Sequence, residues 1–137
     1  DFMRSGMITD DQLHDYLEKL SDTCKMYCIF DCCHSGTILD LKYQYKGHSR
    51  NSVESPNAAL KSNVIMISGC MDTQTSADAK IESKWRGAMT TSYIKCIKDG
   101  ITCEQLLHDM RDCLKNGGYS QYPQMCSSCP ITESQKW

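Results

Sequence analysis

Three segments carry apolar residues at the three- and four-residue spacing of an amphipathic helix. The first follows a capping-box pattern of Thr9 and Gln12, and its stripe consists of Leu13, Tyr16, Leu17 and Leu20. The second spans residues 88–97 with Met89, Tyr93 and Ile97. The third lies between a second capping box at 102–105 and a Gly-Gly stop at 117–118, and its stripe consists of Leu106, Leu107, Met110 and Leu114. This pattern predicts three helices, each with one face toward a core.

Two short runs of continuous apolar residues, 26–30 and 64–67, are typical of strands buried on both faces. The tail after Pro123 has room for one more short strand, whereas residues 42–63 and 71–85 are polar and are expected to form surface loops. Helices alternating with such strands predict an α/β fold with a mainly parallel sheet. In such sheets the active or binding site lies beyond the carboxyl ends of the strands. At that edge we expect Asp31, Cys33, Cys70 and Asp72.

Composition narrows the function classes. The chain has 137 residues, 40% of them hydrophobic and 23% charged, which fits one globular domain. A formal net charge of −2 argues against nucleic acid or an anionic membrane as a partner. No apolar run approaches the length of about 18 residues that a membrane span needs. The first residue is Asp, so we expect this start to lie inside a longer protein.

Ten cysteines leave three interpretations open: disulfides, a zinc site, or reduced thiols. Several cysteines lie inside apolar periodic segments, where a free cysteine behaves as a small hydrophobe. We therefore expect reduced thiols and a cytoplasmic, reducing compartment. The spacings Cys126-x-x-Cys129 and Cys24-x-x-x-Cys28 keep a small zinc-binding protein as an alternative.

The turn after the first strand, residues 31–36, carries the most distinctive chemistry. A nucleophilic thiol needs exposure, a neighbouring base and N–H groups that hold an oxyanion. A cysteine on a sharp turn followed by Ser35 and Gly36 meets the first and third needs. The alternative is a buried cysteine pair at a strand end.

The sequence resembles the metacaspases, caspase-like cysteine peptidases, along nearly its whole length. FDCCHSG at 30–36 is similar to their D-x-C-H-S-G nucleophile motif, and ISGCMDTQTSADA at 67–79 is similar to their I-S-G-C-x-D-x-Q-T-S-A-D-A segment. GAMT at 87–90, SQYPQ at 120–124, Ser127-Ser128, and the segments DF at 1–2 and GMITDD at 6–11 resemble further family motifs in the same order.

The resemblance implies a caspase-like (caspase-hemoglobinase) sandwich, incomplete because its N-terminal strands are absent. It implies Cys33 as nucleophile, with Cys32 as a neighbour, and a pocket for the residue before the cleaved bond (the P1 residue). Asp31, Cys70 and Asp72 are the residues we assign to that pocket. Because a carboxylate forms charged hydrogen bonds with a guanidinium or an ammonium group, such a pocket implies cleavage after Arg or Lys. The alternative for Asp31 is that its side chain caps the end of the strand.

The resemblance also implies an activating calcium ion and no organic cofactor, with Asp1, Asp10, Asp11 and Asp40 matching the family's calcium ligands. The alternative for Asp10 and Asp11 is electrostatic, since both fall in a first helical turn where anions are favoured.

The family's catalytic histidine is missing. It precedes the cysteine by roughly 50 residues in caspase-like sequences, whereas 32 residues precede Cys33 here. None of the four histidines, His14, His34, His48 and His108, suits the role of base. We therefore place the base off this chain, in the missing N-terminal half of the domain, and expect the isolated chain to be inactive.

The expected organisation is one partial domain over 1–137: a large-subunit-like part at 1–41 with the nucleophile, a polar linker at 42–63, and a small-subunit-like part at 64–137. Self-cleavage is expected at a basic loop residue, namely Lys46, Arg50, Lys61, Lys84 or Arg86. The leading function is a calcium-dependent endopeptidase acting on polypeptides with a basic P1 residue. A catalytically inactive protease-like binding or regulatory fragment is the alternative from another class.

Overall fold

The structure is a computed structural model that describes residues 3, 6–31, 38–45, 52–54, 60–69 and 87–137. Its helices and strands, in chain order, are α1 (Asp10–Glu18), β1 (Lys25–Phe30), β2 (Tyr43–Tyr45), β3 (Ser52–Glu54), β4 (Asn63–Ser68), α2 (Ala88–Cys96), α3 (Cys103–Asn116) and β5 (Gln124–Ser127). The three predicted helices and the predicted strands around 26–30, 64–67 and after Pro123 are all present. No helix in these ranges is both long and apolar enough to cross a bilayer.

The strands form one sheet in the order β1-β4-β5-β2-β3. β1 and β4 are parallel, and the three other pairings are antiparallel. The α/β architecture is as predicted, but the sheet in the described part is mixed instead of mainly parallel. The prediction that both apolar runs are buried on both faces is confirmed for β4 and wrong for β1, where Met26, Tyr27 and Ile29 are exposed, because β1 pairs with β4 alone among the described strands. An apolar run also carries no information about the direction of the neighbouring strand.

The prediction that residues 42–63 form a loop is wrong in part, because β2 and β3 lie inside this segment. β2 pairs with β5 on one side, with Gln44 opposite Cys126, and with β3 on the other, with Gln44 opposite Val53. Three-residue strands are too short to show a period. Their hydrogen bonds come from distant segments, so the local sequence does not reveal them.

β4 divides the core into two layers, because successive side chains of a strand point to opposite faces of the sheet. Ile65 and Ile67 pack into a cluster with residues of α2 and α3, whereas Val64 and Met66 pack into a cluster that includes Leu17 of α1. Helices thus cover both faces, which makes the sandwich that the sequence analysis expected.

The first capping box is confirmed: Thr9 Oγ1 accepts from Gln12 N at 3.3 Å, and Gln12 Oε1 accepts from Thr9 N at 3.0 Å. Only the first half of the second box is found. Thr102 Oγ1 accepts from Gln105 N at 3.2 Å, but Gln105 Nε2 donates to Asp109 Oδ1 at 2.6 Å. A carboxylate one turn ahead draws the amide side chain of Gln105 along the helix surface.

One residue assigned to the core face of α1 lies elsewhere. Tyr16 is 65% exposed, and Lys19 Nζ lies 5.0 Å from the centre of its ring. Leu17 is the buried residue of this helix, and Leu13 and Leu20 are partly buried beside it. A tyrosine tolerates this position because its hydroxyl keeps one end of the side chain in water.

The end of the chain ties β1 to α2. Trp137 Nε1 donates to the Tyr93 hydroxyl of α2 at 2.9 Å, and its ring lies 5.0 Å from the ring of Tyr27 in β1. Trp137 N also donates to Ile101 O at 3.1 Å. These contacts fix the position of β1 relative to α2, the two elements that meet at the candidate site.

Candidate active site

The carboxyl ends of β1 and β4 lie side by side. Phe30 is opposite Ser68 in the parallel register, and Gly69 N donates to Phe30 O at 3.0 Å. Asp31, the next residue after β1, therefore lies at the edge where the sequence analysis expected it. Cys33, Cys70 and Asp72 fall outside the described residues, so their position at this edge stays a prediction.

Asp31 is exposed, and its carboxylate is held by one residue of α2. Asp31 Oδ2 accepts from Thr90 Oγ1 at 2.7 Å and from Thr90 N at 3.2 Å. Thr90 is the third residue of that helix. Asp31 thus caps the beginning of α2, a helix distant in sequence. The alternative stated above, that Asp31 caps the end of its own strand, expected these hydrogen bonds at the end of β1.

The first turn of α2 needs an external acceptor. Its N-cap residue is Gly87, with φ of 85° and no side chain to accept from the helix. The first N–H groups of a helix have no partner inside the helix, and they favour an anion through the helix dipole. The Asp31 carboxylate satisfies both preferences from 59 residues away in sequence.

The second oxygen of Asp31 faces the end of β4. A Cβ atom placed on Gly69 would lie 3.6 Å from Asp31 Oδ1 and 3.6 Å from Met89 Cβ. Among the described residues, Gly69 thus presents only its backbone to Oδ1. One oxygen of Asp31 is therefore bound to α2, and the other lies toward Gly69.

Sequence reasoning missed Thr90 as a site residue, although GAMT at 87–90 was among the motifs that carried the resemblance. A glycine at a helix N-cap is the one local signal that could have prompted a search for an outside acceptor. Nothing local identifies Asp31 as that acceptor.

The seven cysteines within the described ranges are free thiols. Burial raises the pKa of Cys28, and it raises the pKa of Cys103 to about 11. The pKa of Cys96 is also raised, first by burial and then by neighbouring Cys113. Because the thiolate is the nucleophile, these three thiols are poorly reactive near neutral pH.

The residues proposed as calcium ligands lie on two segments. Asp10 and Asp11 are in the first turn of α1, where Asp10 Oδ1 accepts from Asp11 N at 3.1 Å. Asp40 has φ of 47°. His14 Nδ1 lies 2.9 Å from Leu39 O and so joins α1 to the segment that carries Asp40. Asp1 is outside the described residues.

The described part of the chain contains no group of three or more His, Cys, Asp or Glu side chains that could hold a metal ion. Within that part, the four-aspartate calcium site is therefore not assembled, and the zinc alternative gains no support. The placement of Asp10 and Asp11 in a first helical turn agrees with the electrostatic alternative.

Two of the four histidines are described, and each has other neighbours. His14 is partly buried against Leu39, and its Nε2 is 3.9 Å from Glu18. His108 lies on the exposed side of α3, with Nδ1 3.5 Å from Asp112 Oδ2. His34 and His48 are outside the described residues.

Comparison with known proteins gives the family. The family model for the caspase domain matches residues 2–132. The chain is 36% identical to metacaspase-2 of Trypanosoma brucei brucei over 98% of its own length and 44% of the relative. It is 34% identical to metacaspase-1 of Meyerozyma guilliermondii over 95% of its length and 44% of the relative.

Metacaspase-1 of Yarrowia lipolytica is 31% identical over 100% of the chain and 40% of the relative. The chain thus spans less than half the length of these relatives. The match covers the described sheet and helices as well as residues 32–37, which agrees with an α/β caspase-like sandwich. The chain belongs to the caspase domain family of cysteine peptidases, with metacaspases as its relatives.

Proposed function

We propose that this chain carries the nucleophile half of a cysteine endopeptidase that cleaves polypeptides after Arg or Lys. The observation that supports it best is the exposed carboxylate of Asp31, at the carboxyl end of β1 and two residues before Cys33. An acidic group so close to a nucleophile offers a binding point for a basic side chain next to the bond that is cut.

The chemistry proceeds in two steps. Cys33 Sγ attacks the carbonyl carbon, so that an S–C bond forms, and N–H groups of the turn stabilise the charge on oxygen. A histidine outside this chain takes the thiol proton and gives it to the amine as the C–N bond breaks. Water then hydrolyses the thioester, which releases the acid and restores Cys33.

The pocket selects its substrate by charge. The Asp31 carboxylate is exposed and one of its oxygens is bound to α2, so the other oxygen is the one proposed to face a ligand. A guanidinium or ammonium group donates to such an oxygen, whereas an acidic side chain is repelled. Cys70 and Asp72 are proposed to complete this pocket.

The histidine-bearing half of the domain is the proposed partner, and β1 is the proposed docking strand. Among the described strands β1 pairs with β4 alone, which leaves its other edge open. Met26, Tyr27 and Ile29 on β1 are 38%, 41% and 36% exposed. An open edge with exposed apolar side chains favours the addition of further strands.

An activating calcium ion is proposed on the resemblance. Bound calcium would supply positive charge between α1 and the segment with Asp40, held by Asp1, Asp10, Asp11 and Asp40. The contact of His14 with Leu39 O holds those two segments together.

Replacing Asp40 with Asn is expected to raise the calcium concentration for half-maximal activity on the order of tenfold, because a ligand charge is lost. The measurement is turnover of an Arg-ending peptide in a calcium titration after chelation. Asp15→Asn, which removes an exposed charge elsewhere on α1, serves as the matched control. Equal midpoints for the two variants would contradict a calcium role for Asp40.

Self-processing is proposed at one of the five basic residues, and the described neighbourhood of Lys61 disfavours cleavage after that residue. Lys61 is exposed, but Ser62 is fully buried and its carbonyl accepts from Ser128 Oγ at 2.7 Å. Cleavage after Lys61 would require this turn to open. Lys46, Arg50, Lys84 and Arg86 are outside the described residues.

The proposed function is tested with an acyloxymethyl ketone peptide that carries Arg at P1. The protein must contain this chain and the histidine-bearing half. We expect one covalent adduct, on Cys33, and labelling about 100-fold slower with Asp at P1, because the carboxylate repels that side chain. Peptide mapping by mass spectrometry locates the adduct.

Buried Cys28 and Cys103 are internal controls in the same digest, since their raised pKa values keep them protonated. An adduct on another cysteine, or equal rates for Arg and Asp probes, would contradict the proposal. No labelling and no turnover in the presence of the histidine-bearing half would favour the inactive binding fragment, for which the open edge of β1 offers a surface.

A further inference from the structure

We propose that Thr90 is a positioning residue for substrate recognition: it holds the Asp31 carboxylate in the orientation that binds a basic P1 side chain. This inference rests on the proposed function of Asp31. Thr90 itself lies on α2, two residues after the start of the helix, and belongs to a different segment from the nucleophile turn.

The contact between Thr90 and Asp31 involves a single carboxylate oxygen. Both donors of Thr90, the hydroxyl at 2.7 Å and the backbone N–H at 3.2 Å, point to the same oxygen, Asp31 Oδ2. Two bonds to one oxygen fix the rotation of the carboxylate. Oδ1 is then directed toward Gly69.

The support around this pair is rigid. Gly69 N is bonded to Phe30 O at 3.0 Å, so the chain just before Asp31 cannot shift against β4 without loss of that bond. Met89, next to Thr90, is fully buried. Trp137 joins Tyr27 of β1 to Tyr93 of α2. The strand and the helix that carry the pair are therefore joined by contacts on both sides of the Thr90–Asp31 bond.

Positioning of this kind affects binding more than chemistry. A free Asp side chain samples several rotamers, and a ligand must select one of them at an entropic cost. Thr90 removes that cost before the substrate arrives. The hydroxyl is needed for the short bond, whereas the backbone N–H remains in any variant.

The test is Thr90→Val in protein that contains the histidine-bearing half, with kcat and KM measured for paired peptides that carry Arg or norleucine at P1. We expect KM for the Arg peptide to rise about three- to tenfold with kcat nearly unchanged. The norleucine peptide should show no such change. Thr90→Ser, which keeps the hydroxyl, should restore the wild-type KM.

Thr91→Val is the matched control, because Thr91 is the next residue of α2, is exposed, and undergoes the same change of side chain. Thr90→Ala gives a second variant with better helix propensity if valine disturbs folding. In an Asp31→Asn background the Thr90 substitution should have no further effect on the Arg preference.

Two results would overturn the inference: a Thr90→Val KM equal to that of Thr91→Val, or an equal rise for the Arg and norleucine peptides, which is the signature of a structural role. A failure of the proposed function looks different. In that case the wild-type protein itself would not prefer Arg over norleucine.

Discussion

Replacing Cys33 with Ala, in protein that contains the histidine-bearing half, is expected to reduce turnover of Arg-ending peptides on the order of 10⁴-fold or more, to the background of the assay. The cause is loss of the only atom that forms the acyl intermediate in the proposed mechanism. Substrate binding at the Asp31 carboxylate should persist, since alanine removes the sulfur alone. Steady-state turnover and a competition binding assay with an uncleavable Arg peptide measure the two effects separately.

Cys32→Ala is the control, because it makes the same change at the adjacent residue. We expect it to retain most of the activity, since a single thiol faces the oxyanion donors in this mechanism. Undiminished turnover in Cys33→Ala would eliminate Cys33 as the nucleophile. Loss of activity in Cys32→Ala alone would transfer that role to its neighbour.

The second large effect is expected for Asp31→Asn, which should reduce kcat/KM for Arg and Lys peptides about 100-fold or more. The negative charge that attracts the basic group is lost. The fold should be retained, because Asn can still accept from Thr90 and is as good as Asp at the beginning of a helix. The melting temperature is expected to change by less than about 3 °C.

Asp99→Asn is a suitable control, since Asp99 is exposed and lies beyond the opposite end of α2. It removes the same charge at a distance from the site. A large fall in melting temperature together with equal loss of activity on basic and neutral peptides would show that Asp31 serves the helix alone. An unchanged preference for Arg would contradict its role in specificity.

The two functions of Asp31 are compatible in this geometry. Thr90 binds one carboxylate oxygen, and the other is directed toward Gly69. A neutral acceptor can still cap the helix, whereas recognition needs the charge, so substitution with Asn separates the two requirements. A cap and a pocket residue are alternatives only if one oxygen must serve both, whereas here Thr90 binds Oδ2 and Oδ1 lies toward Gly69.

Local sequence determined the features that depend on neighbours a few residues apart. The Thr9–Gln12 capping box, the Gly-Gly end of α3, the existence of β1 and the buried run of β4 follow from spacing, side-chain type and backbone preference. The ordered motifs around Cys33 gave the family, which the caspase domain match then confirmed. Such features are readable because their energetics are local.

Tertiary structure alone decided the features that join distant segments. The antiparallel partners of β5, the exposure of Tyr16 and the contact of His14 with Leu39 depend on which surfaces meet, and a window of sequence does not contain that information. The bond between Thr90 and Asp31 spans 59 residues and needs a helix N-terminus beside a strand end. Sequence therefore led to the proposal of Cys33 as nucleophile and Asp31 as the acidic pocket residue, and the packing of α2 against the sheet decided how the Asp31 carboxylate is held.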